Sequence, residues 1–345
     1  MAALARHIHD RKAEWDEGNE VSQRFGAPWL LSRGLRAKES IAAALDQVAD
    51  RERFEEEAIR RSFTALNEEV YLLYGISGAT RKNVEDGVGE PPLEVLWPQM
   101  EGNSIDQKRI EHVWRLLSYA VKRVVEADDD GVVPFGAVNG EERLVDRVRH
   151  ELAALFPERD ANQVEVEIVN ELKRTVKGYR RCASLEDWLD NTFFSYHVGL
   201  YKNRPIFWHI ASSQGTSPFA FGALVHYHRF DRNRMAKLRA TYLRDAIEEF
   251  RREAGLADKT GRTDDRMEWQ AKVEEAQGLD AKLQWIQEGH HEGPEDGERD
   301  FRILTPWKEA AARPTGWDPD LDDGVKVNIE PLEKAGVLRV GKVAR

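Results

Sequence analysis

The chain has 345 residues, 33% of them charged and 41% hydrophobic, and a formal net charge of −11. That length predicts two or three domains with substantial cores, and the composition fits a soluble globular chain with solvated helices rather than a disordered one. The single cysteine, Cys182, excludes an intrachain disulfide and a multi-cysteine zinc site. The start lacks the apolar core of a signal peptide, and no apolar run approaches the roughly 20 residues that span a bilayer, so a reducing cytoplasm and no membrane partner are expected.

The first hundred residues read as helices. Ile41, Leu45 and Val48, then Phe54, Ile59, Phe63, Leu66, Val70 and Leu73, recur at helical spacing among Arg and Glu, and the second helix is expected to stop near Gly75. From Gly75 to Met100, glycines and prolines punctuate what reads as a loop or linker. A helix follows over about Asp106 to Glu126, with Ile110, Val113, Trp114, Leu117 and Val121 on one face. A turn around a short apolar strand comes next, then helices over Glu141–Phe156 and Asn162–Val176. Ser184 can cap a helix carrying Leu185, Trp188, Leu189 and Phe193, with Asp187 at its third position.

Ile206–Ala211 and Ala220–His228 are rich in aromatic and β-branched residues and read as two short strands. Asp231 to Ala254 returns to helix. Beyond Gly255 the chain is acidic and polar, Gly289–Asp300 reads as mobile, and Asp323-Gly324 reads as a turn entering a strand over Val325, Val327 and Ile329. The expected class is mainly α with a small β element (α+β). The expected regions are a helical one over 1–100, a central α+β domain over 101–255 and an acidic region over 256–345.

Several motifs are absent or read as plain structure. No phosphate loop or dinucleotide fingerprint is present, and the sole Pro-Pro pair, Pro91-Pro92, lacks the Asn or Asp before it and the aromatic after it that would hold an extruded base. His197, His209, His226 and His228 lie close in sequence, yet zinc needs a defined ligand set, and bonds to backbone or carboxylate account for them as well. Glu165, Glu167, Glu171 and Lys173 look like a nuclease acid cluster, but Val164, Ile168, Leu172 and Val176 space as one helix face. Asp318, Asp320, Asp322 and Asp323 would need a glutamate where Ile329 stands to form an EF-hand.

Charge is uneven. Between Lys173 and Arg244 thirteen lysines and arginines face four acids, inside a chain that is otherwise strongly acidic. A cationic, aromatic-rich stretch on an acidic protein fits a nucleic-acid contact, or a core whose rim cations pair with distant acids.

Three blocks carry a family resemblance. In Arg11–Leu31, Trp15, Asp16, Glu20, Ser22, Phe25 and Leu31 fit an RKAEWD…E-x-S…F…LL pattern, with Gln23 in place of a tryptophan, and Leu66–Ile76 reads LNEEVYLLYGI. In Phe193–Phe230, the matching residues include His197, Tyr201, Arg204, Pro205, Ile206, Trp208, Tyr227 and His228. The third block is Asp320–Leu332. Together they resemble the C-terminal region of PglX-type adenine-specific DNA methyltransferases of bacteriophage-exclusion (BREX) defence systems, and also large single-chain restriction-modification methyltransferases.

The resemblance implies a noncatalytic DNA-recognition or accessory module, inactive alone. Its partners would be double-stranded DNA, a catalytic methyltransferase domain or chain, and other proteins of the defence system. S-adenosylmethionine is implied for the complete enzyme and not for this chain, which lacks the methyl-donor and Asn-Pro-Pro-aromatic motifs. Arg204, Arg229, Arg232, Arg234, Lys237 and Arg239 are the candidates for phosphate or base-edge contacts, with Tyr201 and His228 shaping the same surface. Trp208 and Tyr227 are expected in the core, and Arg204 before Pro205 has a buried structural role as its alternative. The alternative function is a protein-interaction module that docks onto a catalytic methyltransferase or another defence protein.

Overall fold

Ser40 starts the longest helix. Its hydroxyl accepts from the Ala43 amide at 3.1 Å, and α2 (Ile41–Leu73) then runs 33 residues without interruption. The recurring apolar positions of 41–73 thus belong to one helix, whose buried stripe includes Ile41, Leu45, Val48 and Ile59. The structure, a computed structural model, describes residues 1–34, 39–88, 94–138, 140–202, 204–215, 217–230, 232–290 and 330–339. No helix among them is long and apolar enough to cross a membrane. The described residues form a mainly α structure with one three-stranded antiparallel sheet, as the periodicities predict.

The chain divides into two compact units, neither continuous in sequence. The first comprises Met1–Tyr119 with Leu155–Arg181, the second Ala120–Ala154 with Cys182–Arg345.

In the first unit, α1 (Ala2–Trp15) packs on α2, and α4 (Ile105–Ala127) and α6 (Ala161–Leu172) supply further faces. α3 (Gly78–Val88) occupies part of the stretch expected to be a loop. Glycine and proline density misleads there, because Gly78 and Gly87 stand within this helix. Ion pairs with buried carboxylates tie the helices together: Lys108 to Glu52, Arg11 to Glu55, and Arg109 to both oxygens of Glu171 at 3.0 Å. Half-buried Glu167 accepts from the Ile41 amide at 2.7 Å and from Arg159 at 2.8 Å, so Glu167 and Glu171 serve helix packing.

After α1 the chain turns sharply. Asp16 accepts from Asn19 at 3.1 Å and from the Ser22 hydroxyl, and Trp29 stacks on Trp15 at 3.9 Å. Gly18 lies flat on the Trp29 ring, where an added Cβ would stand 2.0 Å from the indole nitrogen. Gly18→Ala is therefore expected to cost about 1–3 kcal/mol through overpacking. A lower urea midpoint at unchanged slope is the readout; an unchanged midpoint would mean that Trp29 can swing away without loss.

The second unit is built on the sheet, in the order β1-β3-β2. β1 (Val132–Pro134) pairs with β3 (Gly222–His226), and β3 pairs with β2 (Phe207–Ala211), bringing Trp208 opposite Val225 and Phe207 opposite His226. Every residue of the three strands is buried, so both faces of the sheet are covered. α5 (Leu144–Leu155) and α7 (Leu185–Trp188) also contribute to this unit. The Ser184 hydroxyl accepts from the Asp187 amide at 3.1 Å, the cap expected, while Asp187 accepts at 2.8 Å from the amide of Ala183, one residue before the cap. A π-helical turn over Leu189–Phe193 leads into α8 (Phe194–Leu200).

The expected helix over 231–254 is a composite. α9 (Arg232–Lys237) passes through a π-helical turn, Leu238–Leu243, into α10 (Arg244–Lys259). Gly261, with φ 69°, turns the chain into α11 (Thr263–Gln287), which packs back along α10. α11 corrects the reading of the region beyond Gly255 as merely polar. Ala276, Leu279, Leu283 and Ile286 form its buried stripe, hidden in the sequence by the charges between them. Residues 291–329, including most of the segment read as mobile and the expected strand after Asp323-Gly324, lie outside the described residues. α12 (Glu330–Lys334) follows, and Val337 and Leu338 then close the free edge of β2. The Ala211 amide donates to Val337 O at 2.8 Å, and the Arg339 amide to His209 O at 3.0 Å.

Candidate nucleic-acid interface

The turn between α8 and β2 is held from beneath by a histidine. His197 is fully buried between the Phe193 and Phe207 rings, with centroids at 5.4 and 5.0 Å, and its Nε2 accepts from the Ile206 and Phe207 amides at 3.1 and 3.2 Å. Burial, aided by nearby Lys122, pushes its pKa down to about 3, so Nε2 stays an acceptor at neutral pH. Above it the chain turns through Lys202 at φ 51°, an unusual conformation for a residue with a side chain. Lys202 and Arg204 are exposed and Tyr201 is half-buried against the His197 ring.

The exit of β3 lies beside this turn. The Tyr227 amide donates to Ile206 O at 2.8 Å, which carries His228 and Arg229 to the same end of the sheet. Tyr201, Lys202, Arg204 and exposed His228 thus gather there. Tyr227 and Trp208 pack against each other in the core, as expected, and Arg204 is not the buried arginine of the alternative reading.

The remaining candidates behave differently. Arg229 donates to Asp128 O at 2.6 Å and Glu126 O at 2.9 Å, capping carbonyls at the end of α4. Gly131, with φ 73°, lets this loop pass close to the sheet, since an added Cβ would stand 2.9 Å from the His226 Cβ. Lys237 pairs with Asp130, whose carboxylate also accepts from Tyr242 Oη at 2.9 Å and from the Val132 amide at 2.8 Å. These partners hold the Asp130 pKa below the usual carboxylate range against the effect of its burial. Arg239 turns to α11, bonding Asp280 at 2.7 Å and Gln287 at 2.8 Å. Arg234 is half-buried on α9, and the Arg232 side chain lies outside what the structure describes.

The six cations therefore do not form one group. Arg204 sits with the aromatic turn, Arg229 and Lys237 hold the 126–131 loop, and Arg239 faces α11. Sequence reasoning missed Asp128 and Asp130, whose Asp-rich turn ending in Gly131 was the available signal. Among the described residues no group of three or more His, Cys, Asp or Glu is placed to hold a metal ion.

No model of a known protein family matches the chain. The chain is similar to the adenine-specific methyltransferase PglX of Lacticaseibacillus casei (strain Zhang), at 36% identity over 63 residues, 18% of this chain and 5% of that protein. It is also similar to the adenine-specific methyltransferase BrxX of Escherichia coli O9:H4 (strain HS), at 25% identity over 134 residues, 37% of this chain and 11% of that protein. The similarity is partial: the chain matches only a small fraction of the length of either relative. It supports a relationship to adenine-specific methyltransferases.

Proposed function

We propose that this chain is a noncatalytic DNA-recognition module of an S-adenosylmethionine-dependent, adenine-specific DNA methyltransferase of phage defence or restriction-modification. The partial similarity to two such methyltransferases supports the class. The observation that carries the DNA reading is the backbone pairing of Tyr227 with Ile206, which brings the segments carrying Tyr201, Lys202, Arg204 and His228 to one end of the sheet. Arg204 and Lys202 would meet phosphate, and Tyr201 and His228 would shape the contact. Methyl transfer belongs to another domain or chain, and no step of it is assigned to residues here.

Binding of a labelled duplex by the whole chain, followed by fluorescence anisotropy at several salt concentrations, tests this. Six neutralised phosphates would give a logarithmic salt slope of about −5; Arg229, Lys237 and Arg239 bond their own chain, so a negative slope shallower than that is expected. Arg204→Ala should weaken binding to all sequences and reduce the slope by about 1. Affinity indifferent to salt, or a variant that binds as the parent does, rules the reading out.

A second reading has its own observation. At the end of α2, Leu72, Leu73 and Tyr74 are 79%, 65% and 74% exposed, an apolar tip that suits docking onto a catalytic methyltransferase or another defence protein. Charge reversal at Arg204 would abolish DNA binding and spare such a complex, whereas Leu73→Asp would do the opposite.

A further inference from the structure

The first unit contains a cavity of about 620 Å³, within the range of small-molecule sites. Its floor is the tryptophan cluster after α1. Trp15, Trp29 and Trp97 are each at most 5% exposed, so they fix the shape of the space and offer little surface of their own. Contact surface comes instead from Phe63 and Leu66, half-buried neighbours on α2 that line the cavity.

The rim has an electrical bias. Its acids are engaged: Glu94 pairs with Lys12, and Asp16 accepts from Ser22 and Asn19. The exposed Arg24 guanidinium, by contrast, has no partner among the described residues. Gln99, also exposed on the rim, offers an amide with a donor and an acceptor side by side, the pattern that matches a nucleobase edge. An apolar wall that includes an aromatic ring, an unpaired guanidinium and an amide are complementary to a flat heterocycle carrying an anion.

We propose that this cavity binds a nucleoside monophosphate unit, with its base against Phe63 and Leu66, its base edge at Gln99 and its phosphate at Arg24. The unit is either a free nucleotide or an unpaired residue of a DNA strand, which share this chemistry. The site lies in the first unit and does not depend on the duplex contact assigned to the second.

The test titrates the full chain with deoxyadenosine monophosphate, read by tryptophan fluorescence, and with a labelled single-stranded oligo(dA), read by anisotropy. Saturable binding of the mononucleotide alone identifies a free-nucleotide site; oligonucleotide binding that the mononucleotide displaces identifies a strand site. Arg24→Glu should weaken either by about tenfold or more, the worth of one charged hydrogen bond. Phe63→Ala should weaken both, and Arg204→Ala should leave mononucleotide binding unchanged. Arg24 is exposed, so its substitution leaves the fold intact, and matching thermal melts verify this. No saturable response to either probe, or binding that survives both Arg24→Glu and Phe63→Ala, overturns the proposal. Loss of duplex binding in Arg204→Ala with mononucleotide binding retained bears on the duplex reading alone, so the two ideas fail separately.

Discussion

Lowering the pH from 7 to 5 is expected to destabilise the second unit strongly, above the range in which most carboxylates titrate. The cause is three buried, neutral histidines: His197, held down to about 3, His226, to about 4, and His209, well below its usual value of 6.5, all chiefly by burial. Each binds its proton more weakly folded than unfolded. The stability it contributes is therefore complete above about pH 6.5 and is lost as pH falls toward the folded pKa, at up to about 1.4 kcal/mol per pH unit each. Asp190 works in the other direction. Burial raises it to about 6, so its protonation restores stability between about pH 6 and its unfolded value near 3.8. The net slope near pH 5 is then about 3 kcal/mol per pH unit, large against a typical total of 5–15 kcal/mol.

Melting curves at pH 7 and pH 5 would read this, and equal melting temperatures would contradict it. His209 offers a sharper check. Its ring stacks on Phe135 at 4.0 Å, and neither ring nitrogen has a hydrogen-bond partner among the described residues. Replacing it removes two unsatisfied polar atoms and orphans nothing, so His209→Leu should stabilise by about 1–2 kcal/mol at pH 7 and reduce the net slope near pH 5 by about half. Destabilisation at pH 7 would mean that those nitrogens are satisfied by something such as a buried water.

Truncation after residue 329 is expected to be equally severe. Leu332, Val337 and Leu338 are at most 1% exposed in the core of the second unit, and each contributes about 1.5–3 kcal/mol by burial. Their loss, with that of the backbone bonds to β2, removes about 5–9 kcal/mol and leaves an unpaired strand edge. The shortened chain should retain helical circular dichroism while losing its near-ultraviolet signal and cooperative melt. Leu338→Ala, expected to cost about 2–5 kcal/mol, gives a milder version that still folds. A truncated chain with an unchanged melt would show that the segment is dispensable.

Much of the fold was legible in the sequence. The strands stood out because β-branched and aromatic residues cluster at 206–211 and 220–228, the helix over 106–126 because its apolar stripe is unbroken, and the cap because Ser184 and Asp187 carry the spacing. α3 was masked by glycines at its ends, and α11 by charges between its apolar positions. The partners of the cations were beyond reach. Lys237 meets Asp130 and Arg239 meets Asp280 across long separations in sequence, so a count of charge along the chain cannot say which cations stay available. The same limit hides the cavity, whose walls come from α1, α2, the 94–99 segment and α4.

The discontinuity of both units sets an order of events during synthesis. The first unit lacks α6 until residues 161–172 have emerged from the ribosome, by which time β1 of the second unit has already been made. The second unit in turn waits for residues 330–339 to seal the edge of β2. The core of the second unit therefore cannot close until residues 330–339 have been made, and Trp208 and its neighbours stay accessible to water through the synthesis of the residues between.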